Sequence, residues 1–261
     1  MRSRPEKNKP VLENFNVEKR PQKQRLDAAV FEKGLTETRA KAQALILGGN
    51  VYVNGAVCYK SGEPVKSEDI IEVKNVNPYV SRGGLKLESA LCALNIDVGG
   101  FICLDIGAST GGFTDCLLQK AALKVYAVDV GTKQLHYKLR KDPRVVSYEN
   151  VNFRYFELSA LKDPIDFATI DVSFISLDKI LPAAYKSVKN GGFVLAMIKP
   201  QFELEAREIK KGVVRDEKLR LKAIDKIKNF ALTLGFKIIS EADSALKGPK
   251  GNLEHFVLLQ K

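Results

Sequence analysis

Seven short apolar runs in the C-terminal two thirds of the chain predict seven β-strands. They occupy residues 101–106, 124–128, 145–148, 167–170, 193–198, 236–239 and 255–259. Helical spacing of apolar residues separates most of them, at 114–120, 177–188 and 219–234. Because strands and helices alternate, the pattern predicts an α/β fold with a doubly wound, mostly parallel sheet. A loop joins the last two runs, so we expect an antiparallel pair at the edge of the sheet.

A smaller pattern, over residues 25–77, predicts an α+β module of two helices and short strands. Thr36 has the chemistry of a helix cap and predicts the start of the second helix. Asn54-Gly55, between two short apolar runs, is a strong β-hairpin signal. The residues of the second helix that we expect to face the core are Ala40, Ala44 and Leu47.

Composition and the positions of prolines and glycines divide the chain into four parts. Residues 1–24 are basic and interrupted by prolines, which predicts a disordered arm that either tethers RNA or only improves solubility. Residues 25–77 form the small module. Proline and paired glycines mark residues 78–84 as a linker, and a helix begins at residue 85. Residues 85–261 form the large domain.

The chain has 261 residues and a formal net charge of +11, with a pI near 9.4. This excess of bases fits a polyanionic partner such as RNA, although solubility alone is an equal alternative. No apolar run is long enough for a membrane span, and no hydrophobic signal segment begins the chain. The four cysteines lack C-x-x-C spacing, so we expect free thiols, no metal site and a cytoplasmic protein.

The segment 101–113 combines a buried strand, a glycine-rich turn and a helix start, which suits close approach of a nucleotide-like ligand. Asp129 ends the next strand, where an acid can bind ribose hydroxyls. The glycine spacing differs from G-x-G-x-x-G and fits S-adenosylmethionine better than a nicotinamide cofactor, while simple helix–sheet packing remains the alternative. The candidate cofactor-binding residues are Asp105, Gly107, Ala108, Ser109, Gly111, Gly112, Phe113 and Asp129.

Four charged residues border apolar patterns and are candidates for catalysis: Lys86, Asp171, Lys199 and Glu254. Each alone is more often part of a structural ion pair. Because Asp171 and Lys199 end strands of one sheet, and ligands bind at that edge in such folds, we expect the four to converge there.

The small module resembles the RNA-binding domain of ribosomal protein S-four and of many RNA-modifying enzymes. The resemblance rests on the Arg39-Ala40 step and on residues 49–55. It implies that the second helix faces RNA through Arg39 and Lys41, with Arg25 as a further candidate. An ordinary solvated helix face is the alternative.

From about residue 25 to the end, the chain resembles the TlyA-type ribosomal RNA 2′-O-methyltransferases, also called hemolysin A-like proteins. The segments that carry the resemblance are 79–88, 104–115, 127–131, 171–177, 198–203, 212–216 and 251–254. It implies a seven-stranded Rossmann-like sheet, S-adenosyl-L-methionine as cofactor, and transfer of a methyl group to ribose, for this family of cytidine, in ribosomal RNA or ribosomal subunits. It also implies that Lys86, Asp171, Lys199 and Glu254 form the catalytic tetrad of an FtsJ-like domain.

Further RNA contacts are expected beside that site. Residues 201–215 have poor periodicity and several bases, which predicts a mobile loop on RNA phosphate; a surface helix is the alternative. The candidate RNA-binding residues in this part of the chain are Arg82, Arg207, Lys210, Lys211 and Arg215. Phe113, Phe174 and Phe202 are candidates for stacking on bases, with core packing as the alternative.

Three other functions compete with the methyltransferase hypothesis. An RNA-binding assembly factor with a non-catalytic methyltransferase fold is the first. A pore-forming hemolysin, suggested by the family's second name, finds no supporting span or amphipathic strand repeat in the sequence. A nicotinamide-dependent oxidoreductase conflicts with the glycine spacing.

Overall fold

The computed structural model describes residues 23–74, 77–209 and 212–261. The chain divides into two compact units, Met1–Val76 and Asn77–Lys261. All but the last two residues of the predicted arm, 1–24, lie outside the described residues, as do Lys210 and Lys211.

The described residues of the small unit form two helices and two small sheets. Its elements are β1 (Gln24–Arg25), α1 (Leu26–Glu32), α2 (Arg39–Leu47), β2 (Val51–Val53), β3 (Ala56–Cys58), β4 (Pro64–Val65) and β5 (Ile71–Val73). Strands β3, β2 and β5 form an antiparallel sheet, and β1 pairs with β4. Asn54 and Gly55 both have positive φ, as the two central residues of a type I′ hairpin require, and the predicted hairpin is confirmed.

The predicted register of α2 was wrong. Thr38, not Thr36, caps the helix, and its hydroxyl accepts a hydrogen bond from the Lys41 amide at 3.1 Å. Ala42 and Ile46 are buried and pack with the core of the small unit. The residues predicted to face inward, Ala40, Ala44 and Leu47, are exposed, Leu47 by 69%. Four-residue spacing keeps Ala42 and Ile46 on one face, so this face is the one that the core selects.

The large unit alternates helices and strands along the chain. Its elements are α3 (Arg82–Ala93), β6 (Ile102–Ile106), α4 (Gly112–Gln119), β7 (Lys124–Val128), α5 (Tyr137–Arg140), β8 (Val145–Tyr148), β9 (Ile165–Ile170), α6 (Leu181–Ser187), β10 (Val188–Ile198), α7 (Pro200–Glu203), α8 (Glu217–Thr233), β11 (Lys237–Asp243) and β12 (His255–Gln260).

The predicted seven-stranded sheet is confirmed. Its strand order is β11-β12-β10-β9-β6-β7-β8. The strands from β10 to β8 are parallel, whereas β12 is antiparallel to both of its neighbours. The antiparallel pair expected at the edge is therefore β11 with β12. One hydrophobic cluster on each face of the sheet forms the core.

The segment predicted as a linker, 78–84, is packed into the large unit. Helix α3 begins at Arg82, three residues before the predicted start. Tyr79 is buried in the hydrophobic cluster that also contains Leu87. A Cβ atom at Gly84 would collide with the ring of Tyr79. Gly84 thus permits close packing against Tyr79. The sequence pattern does not distinguish such a packing glycine from a glycine in a flexible linker. Among the described residues, no helix is long and apolar enough to cross a membrane.

Candidate active site

The carboxyl ends of the parallel strands bring charged residues to one edge of the sheet. Asp129 follows β7, Asp171 follows β9, and Lys199 follows β10. Pro200 is the first residue of α7, so the chain turns away from the sheet directly after Lys199. The edge therefore presents two carboxylates and one ammonium side by side.

The glycine-rich turn after β6 lies against this edge. Gly107 and Gly111 have φ values of 87° and 95°, a region that favours glycine. A Cβ at Gly107 would lie 2.7 Å from the carbonyl oxygen of Asp171, and one at Gly111 would collide with Leu139. Both glycines are thus required by protein packing, the alternative that the sequence left open. The turn also lines an open cavity at this edge of the sheet, through Gly107, Ala108 and Ser109.

Asp105, a predicted cofactor-binding residue, lines neither of the two cavities that lie at this edge of the sheet, contrary to the sequence-based expectation. Its carboxylate is fully buried and accepts hydrogen bonds from the hydroxyls of Thr114 at 2.7 Å and Thr169 at 3.1 Å. Burial raises the pKa of Asp105 to about 6. It supports the turn from beneath by linking β6 to α4 and β9. Gly111 likewise lies outside both cavity walls.

The four tetrad candidates line one cavity of about 460 Å³, which we call the first cavity. Lys86 and Glu254 form a buried ion pair, although 168 residues separate them in the chain. The ammonium of Lys199 lies 2.6 Å from Asp171 Oδ1 and donates a hydrogen bond to Ser173 Oγ at 2.9 Å. The structure therefore brings all four side chains together as two opposite-charge pairs.

A second cavity of about 440 Å³ adjoins the first. Its walls include Asp129, Gln134, Asn152 and Phe153. Both cavities share Gly107, Ser109, Asp171 and Ser173, so they meet at the glycine turn and at the Lys199–Asp171 pair. Two ligands could thus meet beside Asp171.

Backbone amides hold the carboxylate of Asp129 in place. It accepts hydrogen bonds from the N–H of Ser109 at 2.8 Å and from the N–H of Gly131 at 2.6 Å. These bonds fix its orientation at the rim of the second cavity. Neither Gln134 nor Asn152 was singled out from the sequence, because both lie in loops without a recognisable pattern.

In the small unit, two of the three predicted RNA-binding residues contact the same carboxylate, that of Asp27. Arg25 Nε and Arg39 Nη2 each lie 3.1 Å from Oδ1 of Asp27. Asp27 is fully buried and also accepts a hydrogen bond from Gln43 at 2.7 Å, and the hydrogen bond from Arg25 is the main cause that holds its pKa below the usual range. Lys41 stands apart, 3.4 Å from Glu37. Asp27 was missed as a functional candidate, since its spacing from Arg39 carries no signal.

The described part of the segment 201–215, residues 201–209 and 212–215, forms neither a long helix nor a uniform loop. It contains α7, a short 3₁₀ turn over Ala206–Glu208, and irregular chain from Gly212 onward. Arg207 is 82% exposed in its side chain and lies 2.7 Å from Glu205, while Arg215 is exposed just before α8. Among the other candidates, Arg82 lines the first cavity.

The three aromatic candidates lie in different surroundings. Phe113 is buried, and its ring packs against Phe256 as well as lining the first cavity. Phe174 is 91% exposed, has a φ of 63°, and lies 5.1 Å from the ring of Phe202, measured between centroids. An exposed aromatic ring in left-handed backbone geometry is costly, so Phe174 is the strongest stacking candidate of the three.

Comparisons with known proteins agree with this architecture. The FtsJ-like methyltransferase family model matches residues 79–261, and the S4 domain model matches residues 24–71. Hemolysin A of Brachyspira hyodysenteriae is 47% identical over 239 residues, which cover 90% of this chain and 100% of that protein. The 16S/23S rRNA (cytidine-2′-O)-methyltransferase TlyA of Mycobacterium tuberculosis is 38% identical over 239 residues, 90% of this chain and 89% of that protein.

A solved structure described as a hemolysin from Streptococcus thermophilus is also similar. It superposes with a TM-score of 0.72 at 45% sequence identity, covering 92% of this chain and 89% of that one. These matches confirm the resemblance to TlyA-type proteins that the sequence motifs predicted. The chain belongs to the FtsJ-like methyltransferase family and carries an S4 domain ahead of the methyltransferase domain.

Proposed function

We propose that this protein transfers a methyl group from S-adenosyl-L-methionine to the 2′-hydroxyl of a ribose in ribosomal RNA, at cytidine. The observation that carries the proposal is the pairing of Lys199 with Asp171 and of Lys86 with Glu254 in one cavity. The relative from Mycobacterium tuberculosis bears the name of an enzyme with this specificity. The S4 domain supports RNA as the substrate.

The second cavity suits the nucleoside end of the cofactor. Asp129 keeps a fixed carboxylate at its rim, and an acid at this place after the second strand binds ribose hydroxyls in related sheets. Val130 and Phe153 supply apolar wall, which favours a flat adenine ring. The shared turn at Gly107 and Ser109 leads from this cavity into the first. When bound, S-adenosylmethionine supplies a methyl group on a cationic sulfur.

The first cavity suits the acceptor ribose. A 2′-hydroxyl is a weak nucleophile. As its oxygen bonds to the methyl carbon, the carbon–sulfur bond would break, S-adenosylhomocysteine would leave and the hydroxyl proton would pass to water, while the ammonium of Lys199 stabilises the negative charge that develops on the oxygen. Asp171 and Ser173 hold that ammonium in one position, at 2.6 Å and 2.9 Å. The carboxylate of Asp171 also lies where the two cavities meet, so it favours a positively charged group of a ligand at that place.

Lys86 and Glu254 contribute position more than proton transfer. Their ion pair is buried and joins α3 to the start of β12. It leaves donors of the Lys86 ammonium available to hydroxyls of the acceptor ribose. Holding both reactants in line removes much of the entropic barrier. Catalysis in this site therefore rests on orientation and electrostatics.

A methyl-transfer assay tests the proposal. Ribosomal RNA and ribosomal subunits that lack 2′-O-methyl groups are incubated with the full chain and methyl-labelled S-adenosylmethionine. We expect label in the RNA with the protein and none with Lys199→Ala. A non-catalytic assembly factor would bind the same RNA without labelling it, and that outcome would overturn the proposal.

A further inference from the structure

The first cavity holds more positive charge than its own carboxylates balance. Among the residues that the structure describes, its wall contains four cationic side chains, Arg82, Lys86, Lys199 and Lys247, and two carboxylates. Both carboxylates are already paired, with Lys86 and with Lys199. Neither Arg82 nor Lys247 forms an ion pair with any residue that the structure describes. An excess of two positive charges in one cavity favours an anionic part of the substrate.

Lys247 belongs to a loop that packs directly on the tetrad. The loop joins β11 to β12, and backbone hydrogen bonds close it from Ser244 to Glu254 at 2.9 Å and from Gly248 to Asn252 at 2.9 Å. A Cβ atom at Gly248 would lie 2.6 Å from Oε1 of Glu254. The backbone beside Lys247 is therefore held against a tetrad residue.

Asn252 fastens the same loop to a second segment. This side chain is buried, accepts a hydrogen bond from the Val214 amide at 2.8 Å, and donates one to the Gly212 carbonyl at 3.0 Å. The loop is thus anchored at its base and from the side. Only the long side chain of Lys247 has to be ordered when an anion binds, which lowers the entropic cost of the contact.

We propose that Lys247, together with Arg82, binds a backbone phosphate next to the ribose that is methylated. This proposal rests on the proposed function and adds a substrate contact to it. Each ribose in RNA is flanked by phosphates, so a ribose seated beside Lys199 brings a phosphate to the rim of the same cavity. An ammonium or a guanidinium matches that group in charge and hydrogen bonding.

The carboxylate of the cofactor is a second anion that these cations could meet, because Gly112 and Phe113, two of the candidate cofactor-binding residues, also line the first cavity. Lys247 and Arg82 line that cavity with the Lys86–Glu254 pair, and neither lines the second cavity, where Asp129 stands. The phosphate assignment follows from the acceptor ribose that is proposed to sit beside Lys199 in the same cavity. A direct measurement of cofactor affinity separates the two sources.

Lys247→Gln is the test variant, and Lys250→Gln is its matched control. Both lysines are exposed on the same loop, but only Lys247 lines the cavity. The measurements are the KM and Kd for ribosomal RNA over a series of salt concentrations, and the Kd for S-adenosylmethionine by calorimetry. We expect Lys247→Gln to raise KM and Kd for RNA roughly 10-fold and to reduce the salt slope by about 1. Cofactor affinity should stay within about 2-fold, and Lys247→Arg should restore most RNA affinity.

Two results would overturn the phosphate assignment. One is an equal effect of Lys247→Gln and Lys250→Gln on RNA affinity, which would mean a diffuse surface charge. The other is a large loss of cofactor affinity in Lys247→Gln, which would identify the cofactor carboxylate as the anion. If the unaltered protein transferred no methyl group, the proposed function would fail, while RNA affinity and its salt slope would still decide the role of Lys247.

Discussion

Asp27 in the small unit and Asp105 in the large unit are both fully buried, yet their surroundings shift their pKa values in opposite directions. Asp27 meets two guanidinium groups and an amide, and its pKa lies below the usual range, chiefly through the hydrogen bond from Arg25. Asp105 accepts hydrogen bonds from two threonine hydroxyls, and burial raises its pKa to about 6. The partners of a buried carboxylate, more than its burial, therefore decide the direction in which its pKa shifts.

The same comparison separates the tasks of the two units. Asp27 is enclosed, whereas the side chains of Arg25 and Arg39 remain about half exposed, so their charge faces solvent. In the large unit the ammonium groups of Lys86 and Lys199 are themselves almost buried and face a cavity. Exposed cations suit the attraction of a polyanion, and enclosed cations suit the stabilisation of charge during a reaction.

The largest expected effect comes from Lys199→Ala, which removes an enclosed cation. We expect methyl transfer to fall roughly 10³-fold, because general acid–base and electrostatic contributions are commonly of this size. Affinity for S-adenosylmethionine should remain within about 2-fold. Lys189→Ala is the control, since Lys189 lies on the same strand β10 but is half exposed and pairs with Asp166. Joint loss of transfer and of cofactor binding would indicate a structural role for Lys199.

Asp105→Asn should change how stability depends on pH. The folded-state pKa of about 6 lies above the unfolded value of about 3.9, so the stabilisation from Asp105 is present below about pH 4 and is lost as pH rises through 6. Asparagine does not titrate. The free energy of unfolding of the unaltered chain, relative to the variant, should fall by at most about 3 kcal/mol between pH 4 and pH 7. Urea unfolding at several pH values measures this difference, and parallel curves would contradict the account.

Asp27→Asn should weaken RNA binding by roughly 10-fold, because it releases two guanidinium groups from fixed positions. Cofactor affinity should not change. Filter binding with ribosomal RNA measures the loss, and circular dichroism checks that the variant is folded. In the double variant with Arg39→Gln the effects should be less than additive. Full RNA affinity in Asp27→Asn would show that the arginine pair has no part in binding.

The smallest expected effect belongs to Lys41→Gln. Lys41 is held by an exposed pair with Glu37 at 3.4 Å, and exposed pairs contribute little order. We expect RNA affinity to fall about 2-fold, against roughly 10-fold for Arg39→Gln, whose guanidinium Asp27 fixes. Equal losses in the two variants, measured at one salt concentration, would mean that the Asp27 contact gives Arg39 no advantage.

The sequence predicted the large sheet well because its strands are nearly continuous apolar runs with polar ends. The bounds predicted for β7 and β8 match the structure residue for residue. The convergence of the four tetrad candidates was also predicted, since charges that interrupt or border such runs are conspicuous. The sequence could not predict which of the four residues form ion pairs with each other, because the Lys86–Glu254 contact depends on the path of the whole chain.

Errors arose where two local choices were equally good. Thr36 and Thr38 are both acceptable caps, and the core selected the second. Asp105 has the residue type of a cofactor ligand, but its partner across the sheet is Thr169, which captures its carboxylate. Lys247 lies in a loop whose fold brings it to the cavity without any periodic signal. Each of these outcomes depends on tertiary contacts that no short window of sequence contains.

The position of the transferred methyl group tests the central claim most directly. Ribosomal RNA labelled by the full chain and methyl-labelled S-adenosylmethionine is hydrolysed in alkali, which cleaves every linkage except those next to a 2′-O-methylated ribose. We expect the label in alkali-resistant dinucleotides that begin with cytidine. Label recovered in mononucleotides, as methylated bases, would contradict the account.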